Sequence, residues 1–72
     1  MKDVQLQVQP ASGGWWIACD LPIEPTFFHT GARAETVARS LAIRLCSAGH
    51  DVRVVIEDRA HQVVATQRYF AS

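Results

Sequence analysis

Residues 30–49, TGARAETVARSLAIRLCSAG, decide the fold class because they predict a single α-helix in the middle of the chain. Thr30 is a suitable N-cap and Gly49 is a suitable residue to end the helix. Ile43 falls on the opposite side from the apolar stripe, where we expect solvent. Apolar side chains recur at the spacing of one helix face, at Ala34, Val37, Ala38, Leu41, Leu45 and Ala48.

The segment before the helix predicts strands. VQLQVQ, residues 4–9, alternates apolar side chains with Gln, which is typical of a half-buried strand. The turn residues PASGG separate it from WWIACDL, residues 15–21, which is rich in strand-forming residues. PIEP, residues 22–25, indicates a loop or an edge because proline cannot donate to a ladder. TFFH, residues 26–29, predicts a short third strand.

The segment after the helix predicts a hairpin of two strands, DVRVVIED at residues 51–58 and QVVATQRYF at residues 62–70. With a loop of two or four residues, Ile56 lies opposite Val63, and Val55 shares the other face with Val64. A loop of three residues would reverse this assignment, because a shift of one residue moves every side chain to the opposite face.

The element order β-β-(β)-α-β-β predicts an α+β fold. We expect an antiparallel-dominated sheet of four strands, or five if the third forms, with one α-helix packed on one face. With 72 residues, the chain is expected to be one small domain, residues 1–72. It has no apolar run long enough for a membrane span. The start, MKDVQLQVQP, contains no apolar signal segment, so we expect a cytoplasmic location.

The same segments carry a resemblance. GGWWIACD, FFHTGARAETVARSLAIRLCSAG and VRVVIEDRAHQVV together resemble a domain-of-unknown-function family of short, uncharacterised bacterial proteins. In that family a Gly-Trp strand precedes an aromatic residue and a Thr or Ser, then an A-E-x-x-A-R-x-L-A helix and a charged hairpin. The resemblance implies a β-β-α-β-β layout and no activity or site residue. The helix motif stands here as Ala34, Glu35, Ala38, Arg39, Leu41 and Ala42.

The sequence contains no glycine-rich phosphate loop, no H-E-x-x-H and no G-x-S-x-G motif. We therefore expect no enzymatic activity and no cofactor. Cys19, His29, Cys46 and His50 are four potential zinc ligands. We expect no metal site, because Gly49 separates Cys46 from His50 and no C-x-x-C pair is present. The two cysteines form no disulfide pattern and are expected to be thiols.

The charge pattern bears on the class of partner. The formal net charge is zero, which argues against a dedicated nucleic-acid binder because such proteins need a basic surface. The distribution is uneven, since residues 1–30 carry −2 and residues 31–72 carry +2. Arg33, Arg39 and Arg44 predict a solvated helix flank, with phosphate binding as the alternative.

The adjacent tryptophans at positions 15 and 16 divide between two faces, because neighbouring strand residues point in opposite directions. Trp15 shares its face with Ile17, Cys19 and Leu21, so we expect it to face the helix. Trp16 is then expected on the face that no helix covers.

We expect an interaction surface on this second face. Gln residues of the first strand surround its apolar centre, and such patches with polar rims mark contact sites, where tryptophan is enriched. A small chain often needs a partner, so we expect a homodimer or an unidentified protein partner. The predicted surface consists of Trp16, Val55, Val64, Arg53 and Phe70.

Three alternatives stay open for this surface. Trp16 could fold over its own sheet or tuck under PIEP, residues 22–25, without any partner. Exposed Ile43 on the helix offers a rival dimer surface. The open sheet could instead bind nucleic acid, with Trp16 stacking on a base and arginines contacting phosphate, although the neutral charge argues against this reading.

Overall fold

The computed structural model describes residues 3–71, which form five strands and one helix. The predicted α+β class and the predicted chain order of the elements are confirmed, and the third strand does form. The elements are β1 (Asp3–Ala11), β2 (Gly14–Cys19), β3 (Thr26–Phe28), α1 (Gly31–Ser47), β4 (Asp51–Glu57) and β5 (Val63–Tyr69).

The sheet is mixed, with the spatial order β3-β2-β1-β4-β5. Three pairings are antiparallel, but β1 and β4 pair in parallel. The sheet is therefore mostly antiparallel, as expected, but two details of the predicted layout are corrected: the sheet is mixed, and its strands are not arranged in the order of the chain. Parallel neighbours need a long crossover connection, and α1 supplies part of it by returning the chain to the free side of β1.

The helix begins and ends as its flanking residues predict. The Thr30 hydroxyl accepts a hydrogen bond from the Arg33 backbone N–H at 3.2 Å. At the other end, Gly49 N–H donates to the Cys46 carbonyl, and the next residue's N–H donates to the Leu45 carbonyl, each at 3.0 Å. These two bonds form a Schellman motif, which satisfies carbonyls that the helix end leaves free.

The buried face of α1 differs slightly from the predicted stripe. Ala34, Ala38 and Ala42 are fully buried, and Cys46 is nearly so. Ala48, which the spacing placed on the buried face, is exposed because the helix has already ended at Ser47. The stripe of small side chains lets the helix lie close to the sheet.

The core lies between α1 and one face of the sheet. The central strand β1 contributes the fully buried Leu6, the largest side chain with almost no exposure. Strands β1 and β4 supply most of the layer, and β2 adds one residue. The sheet side of the core consists of Val4, Leu6, Val8, Ile17, Val52, Val54 and Ile56.

The register of the last hairpin is corrected. Ile56 lies opposite Ala65, where we expected Val63. Val55 lies opposite Thr66, two residues along β5 from Val64, which we expected to share its face. The connection between β4 and β5 spans residues 58–62, which is longer than the loops considered from the sequence.

A β-bulge accounts for the rest of the shift. Glu57 pairs with Val63 while the preceding residue pairs with Ala65, so Val64 has no partner in the ladder. The turn is held by the Asp58 carboxylate, which accepts the backbone N–H groups of Ala60 at 2.8 Å and Gln62 at 3.1 Å.

Candidate interaction face

The structure separates the two tryptophans as strand parity predicts. Trp15 is half-buried and packs against the core at the start of α1. Arg59 covers its outer side, with the guanidinium carbon 4.7 Å from the ring centroid. Trp16 lies on the other side of the sheet, and 40% of its surface is exposed.

We call the side of the sheet opposite α1 the open face. None of the elements in residues 3–71 packs across it, because the helix lies on the other side. Its polar central column comes from β1, and the strands on either side add apolar and charged side chains. The open face includes Asp3, Gln5, Gln7, Gln9, Trp16, Ala18, Asp20, Phe27, Asp51, Arg53, Val55, Glu57, Thr66 and Arg68.

An aromatic pair occupies one end of the open face. Trp16 and Phe27 are cross-strand partners on β2 and β3, and their rings meet edge to face with centroids 5.2 Å apart. Phe27 is 37% exposed and also meets the His29 ring at 5.3 Å. Phe27 was not predicted as a surface residue, although pairing TFFH with the second strand would have placed it beside Trp16.

The centre of the open face is apolar but small. Val55 is only 8% exposed, because it lies between Gln7 on β1 and Thr66 on β5. Ala18 occupies the matching position on the other side of Gln7. Val55 therefore contributes to the floor of the face and offers little surface to a partner.

The other end of the open face is charged. Asp20 and Arg53 flank Gln5, and the Asp20 Oδ2 accepts the Gln5 backbone N–H at 3.0 Å. Arg53 and Arg68 are directly opposite each other on β4 and β5. Like charges in this arrangement destabilise a sheet unless an acidic group neutralises them.

No carboxylate forms an ion pair with either arginine in the described part of the chain, although Asp3 and Asp20 line the same shallow pocket as Arg53 and Arg68. The ion pairs found there are Arg39 with Glu35 and His61 with Glu57, and neither involves the two arginines of the open face. Strand parity also places Asp51 and Glu57 of β4 on the open face, so β4 carries both acidic and basic residues. Asp20 and Arg53 are the opposite charges that lie on either side of Gln5.

The five residues of the predicted surface do not all lie together. Trp16, Val55 and Arg53 share the open face. Val64 lies at the bulge of the edge strand and is 61% exposed. Phe70 follows the end of β5, is 66% exposed, and has the Arg68 guanidinium 5.5 Å from its ring centroid.

The residues considered as metal ligands do not form a site in the structure. Across residues 3–71, no group of three or more His, Cys, Asp and Glu side chains is placed to hold a metal ion. Cys19 and Cys46 are both free. In the same range, the single helix is too short and too polar to cross a membrane.

Comparison with known proteins provides no relative. No protein-family model, no curated protein and no solved structure matches this chain. The resemblance to a domain-of-unknown-function family therefore stays a prediction, and the function must be argued from the open face.

Proposed function

We propose that the chain is a small, non-enzymatic protein-interaction module that forms a homodimer through its open face. The observation that carries this proposal is the exposed aromatic pair of Trp16 and Phe27 on a sheet face that no helix covers. Exposed apolar clusters with polar surroundings are typical of contact surfaces, and tryptophan is enriched among the residues that dominate their energy. The free thiols agree with a cytoplasmic location, which we include in the proposal.

The charges of the open face favour a second copy of this chain as the partner. Asp20 lies on one side of the central strand, and Arg53 and Arg68 lie on the other side without an ion-pair partner in residues 3–71. A twofold interface brings one surface against itself, so it needs a surface that carries both members of each contact. The open face meets this condition.

The size of the open face is sufficient for a weak dimer. At about 3.3 Å of rise per residue and about 4.8 Å between strands, the five strands cover roughly 500 Å² in projection. Two copies would then bury about 1,000 Å², which is close to the lower limit for specific interfaces. The whole face must therefore take part, including both its aromatic end and its charged end.

Light scattering on Trp16→Ala tests the proposal. The wild type is expected at twice the 8.0 kDa chain mass. Loss of a dominant tryptophan costs about 2 kcal/mol, and symmetry doubles this, so the dissociation constant should rise by roughly a thousandfold. Ile43→Ala is the matched control, because Ile43 is 58% exposed on the helix and should leave the dimer intact.

Two results would overturn the homodimer on the open face. One is a wild-type mass of 8.0 kDa at every concentration. The other is a dimer that survives Trp16→Ala but dissociates on Ile43→Ala, since that would place the interface on the helix.

A second candidate function is the binding of single-stranded nucleic acid. The adjacent arginines Arg53 and Arg68 favour it, because aromatic rings near basic groups bind bases and phosphates on open sheets. Asp20 on the same face and the zero net charge count against it. Fluorescence anisotropy with RNA and DNA oligonucleotides at two salt concentrations decides between them. Binding that weakens with salt and is lost in Trp16→Ala would replace our proposal.

A further inference from the structure

We infer that the two copies meet about a twofold axis that runs along β1, so that Asp20 of each copy lies over Arg53 of the other. This inference rests on the proposed homodimer and adds how the open faces of the two copies are oriented relative to each other. It assigns Asp20 and Arg53 as the charged residues that determine this arrangement.

The position of β1 supports this axis. It is the central strand, with β2 and β4 as its two neighbours. Gln5 on β1 pairs with Arg53 on one side and exchanges hydrogen bonds with Asp20 on the other. Asp20 and Arg53 are therefore the neighbours of Gln5 on the two sides of β1. A twofold axis along β1 exchanges the two sides at constant height, which places each carboxylate over a guanidinium.

The neighbouring row of side chains is compatible with the same axis. Ala18 and Val55 flank Gln7 at equal distances, so the axis places Ala18 of one copy over Val55 of the other. Gln7 then meets Gln7 of the second copy on the axis, where two amides can donate to each other. Apolar residues meet apolar residues in this row, and polar residues meet polar residues.

The outer strands extend this complementarity. Phe27 lies one strand beyond Trp16, in the row that crosses β1 at Gln9. On the other side of β1, the last residue pair is Val8 with Ile56, so the next residue, Glu57, falls beside Gln9, and Val63 lies opposite Glu57 on β5. The axis along β1 therefore places Phe27 over Val63 of the second copy. Both side chains are among the exposed large apolar residues, at 37% and 58% exposure.

An axis that crosses the strands at Gln7 gives poorer matches. It exchanges the aromatic end with the charged end. Trp16 does not distinguish the two axes, because it meets a carboxylate in both, Asp20 here and Glu57 with the axis along β1. Val63, however, would meet Arg68 of the second copy instead of Phe27. Apolar groups would then remove water from charges without neutralising them, which is unfavourable. The strands of two stacked sheets are rotated by up to about 30° relative to each other. With the axis along β1, Asp20 and Arg53 lie close to the axis, so their side chains can still reach each other after such a rotation.

Two charge reversals and their mixture test the axis. Asp20→Arg makes both positions basic, and Arg53→Asp makes both positions acidic. Each variant alone places like charges together twice, so self-association should weaken by at least about tenfold. An equimolar mixture should form a heterodimer, because every contact between the two positions then joins opposite charges. Native mass spectrometry distinguishes this heterodimer from the homodimers by mass.

Two controls separate association from folding. Arg33→Asp reverses an exposed arginine on the helix and should leave the dimer intact. Asp20→Asn keeps an oxygen that can accept the Gln5 backbone N–H, and it should weaken the dimer less than Asp20→Arg. Circular dichroism of each variant shows whether the monomer is folded.

The outcomes distinguish failure of the proposed homodimer from failure of the proposed axis. A monomeric wild type overturns the proposed function. A dimeric wild type whose two variants also dimerise, or whose folded variants do not associate when mixed, overturns the axis and leaves the homodimer standing. A wild-type dimer, weakened single variants and a heterodimer in the mixture support both.

Discussion

Gly14→Ala is expected to destabilise the protein by detaching β3 from the sheet. Gly14 is the buried first residue of β2. A Cβ atom at this position would overlap with the carbonyl oxygen of Phe28 and with the ring of Phe27. The Phe28 oxygen belongs to the backbone and cannot rotate away, so the whole of β3 would have to move outward.

The size of the effect follows from what β3 contacts. It is held to β2 by three residue pairs, and it carries the ring that meets Trp16. Overpacking alone costs about 1–3 kcal/mol. Each lost ladder hydrogen bond adds about 1 kcal/mol, and the aromatic contact adds roughly 0.5–1.5 kcal/mol. We expect a loss of about 3 kcal/mol, a large part of the roughly 4–11 kcal/mol typical of a chain this size.

Gly13→Ala is the matched control at the neighbouring position. Gly13 has a φ of 77°, and a Cβ atom there would meet nothing within 4 Å. Its substitution should therefore cost only the strain of a left-handed backbone, about 1–2 kcal/mol. Urea unfolding at one fixed, low protein concentration measures both variants, because a dimer makes apparent stability depend on concentration. A loss for Gly14→Ala no larger than that for Gly13→Ala would refute the overlap with β3.

Two further substitutions test the ends of elements. Thr30→Ala should lower the free energy of unfolding by about 1 kcal/mol because it removes the N-cap, whereas Thr30→Ser should keep it; equal losses in urea unfolding would contradict the capping role. His61→Gly should raise the melting temperature by roughly 4–8 °C, since His61 has a φ of 60° and relief of this strain gives about 1 kcal/mol. The substitution also removes the 3.1 Å contact between the His61 ring and the Glu57 carboxylate, so Glu57→Gln serves as the control in the same calorimetric scan, and a lower melting temperature for His61→Gly would contradict the strain.

Much of the fold could be predicted because its signals are local. The helix follows from apolar spacing between Thr30 and Gly49, and both residues act at the helix ends. Strand parity was sufficient to separate Trp15 from Trp16, because alternation needs no knowledge of the rest of the sheet. Each of these inferences depends on residues within a few positions of one another.

The remainder could not be predicted because it depends on contacts between distant segments. The parallel pairing of β1 with β4 joins residues that are about two thirds of the chain apart, and no local pattern distinguishes it from an antiparallel pair. The bulge that leaves Val64 without a partner depends on the turn around Asp58. Phe27 joins the open face only because β3 pairs with β2.

The parallel pairing also sets the properties of the proposed interface. It places Arg53 beside Gln5, opposite Asp20, so that β1 lies between these two charged residues on the open face. The alternation of side chains along a single strand identifies Trp16 as an exposed residue. Only the pairing of the strands shows which residue of β2 and which residue of β4 lie beside the same residue of β1. The self-complementary charges that favour a second copy as the partner are therefore a property of the sheet topology, and the mixture of Asp20→Arg with Arg53→Asp tests that topology together with the dimer.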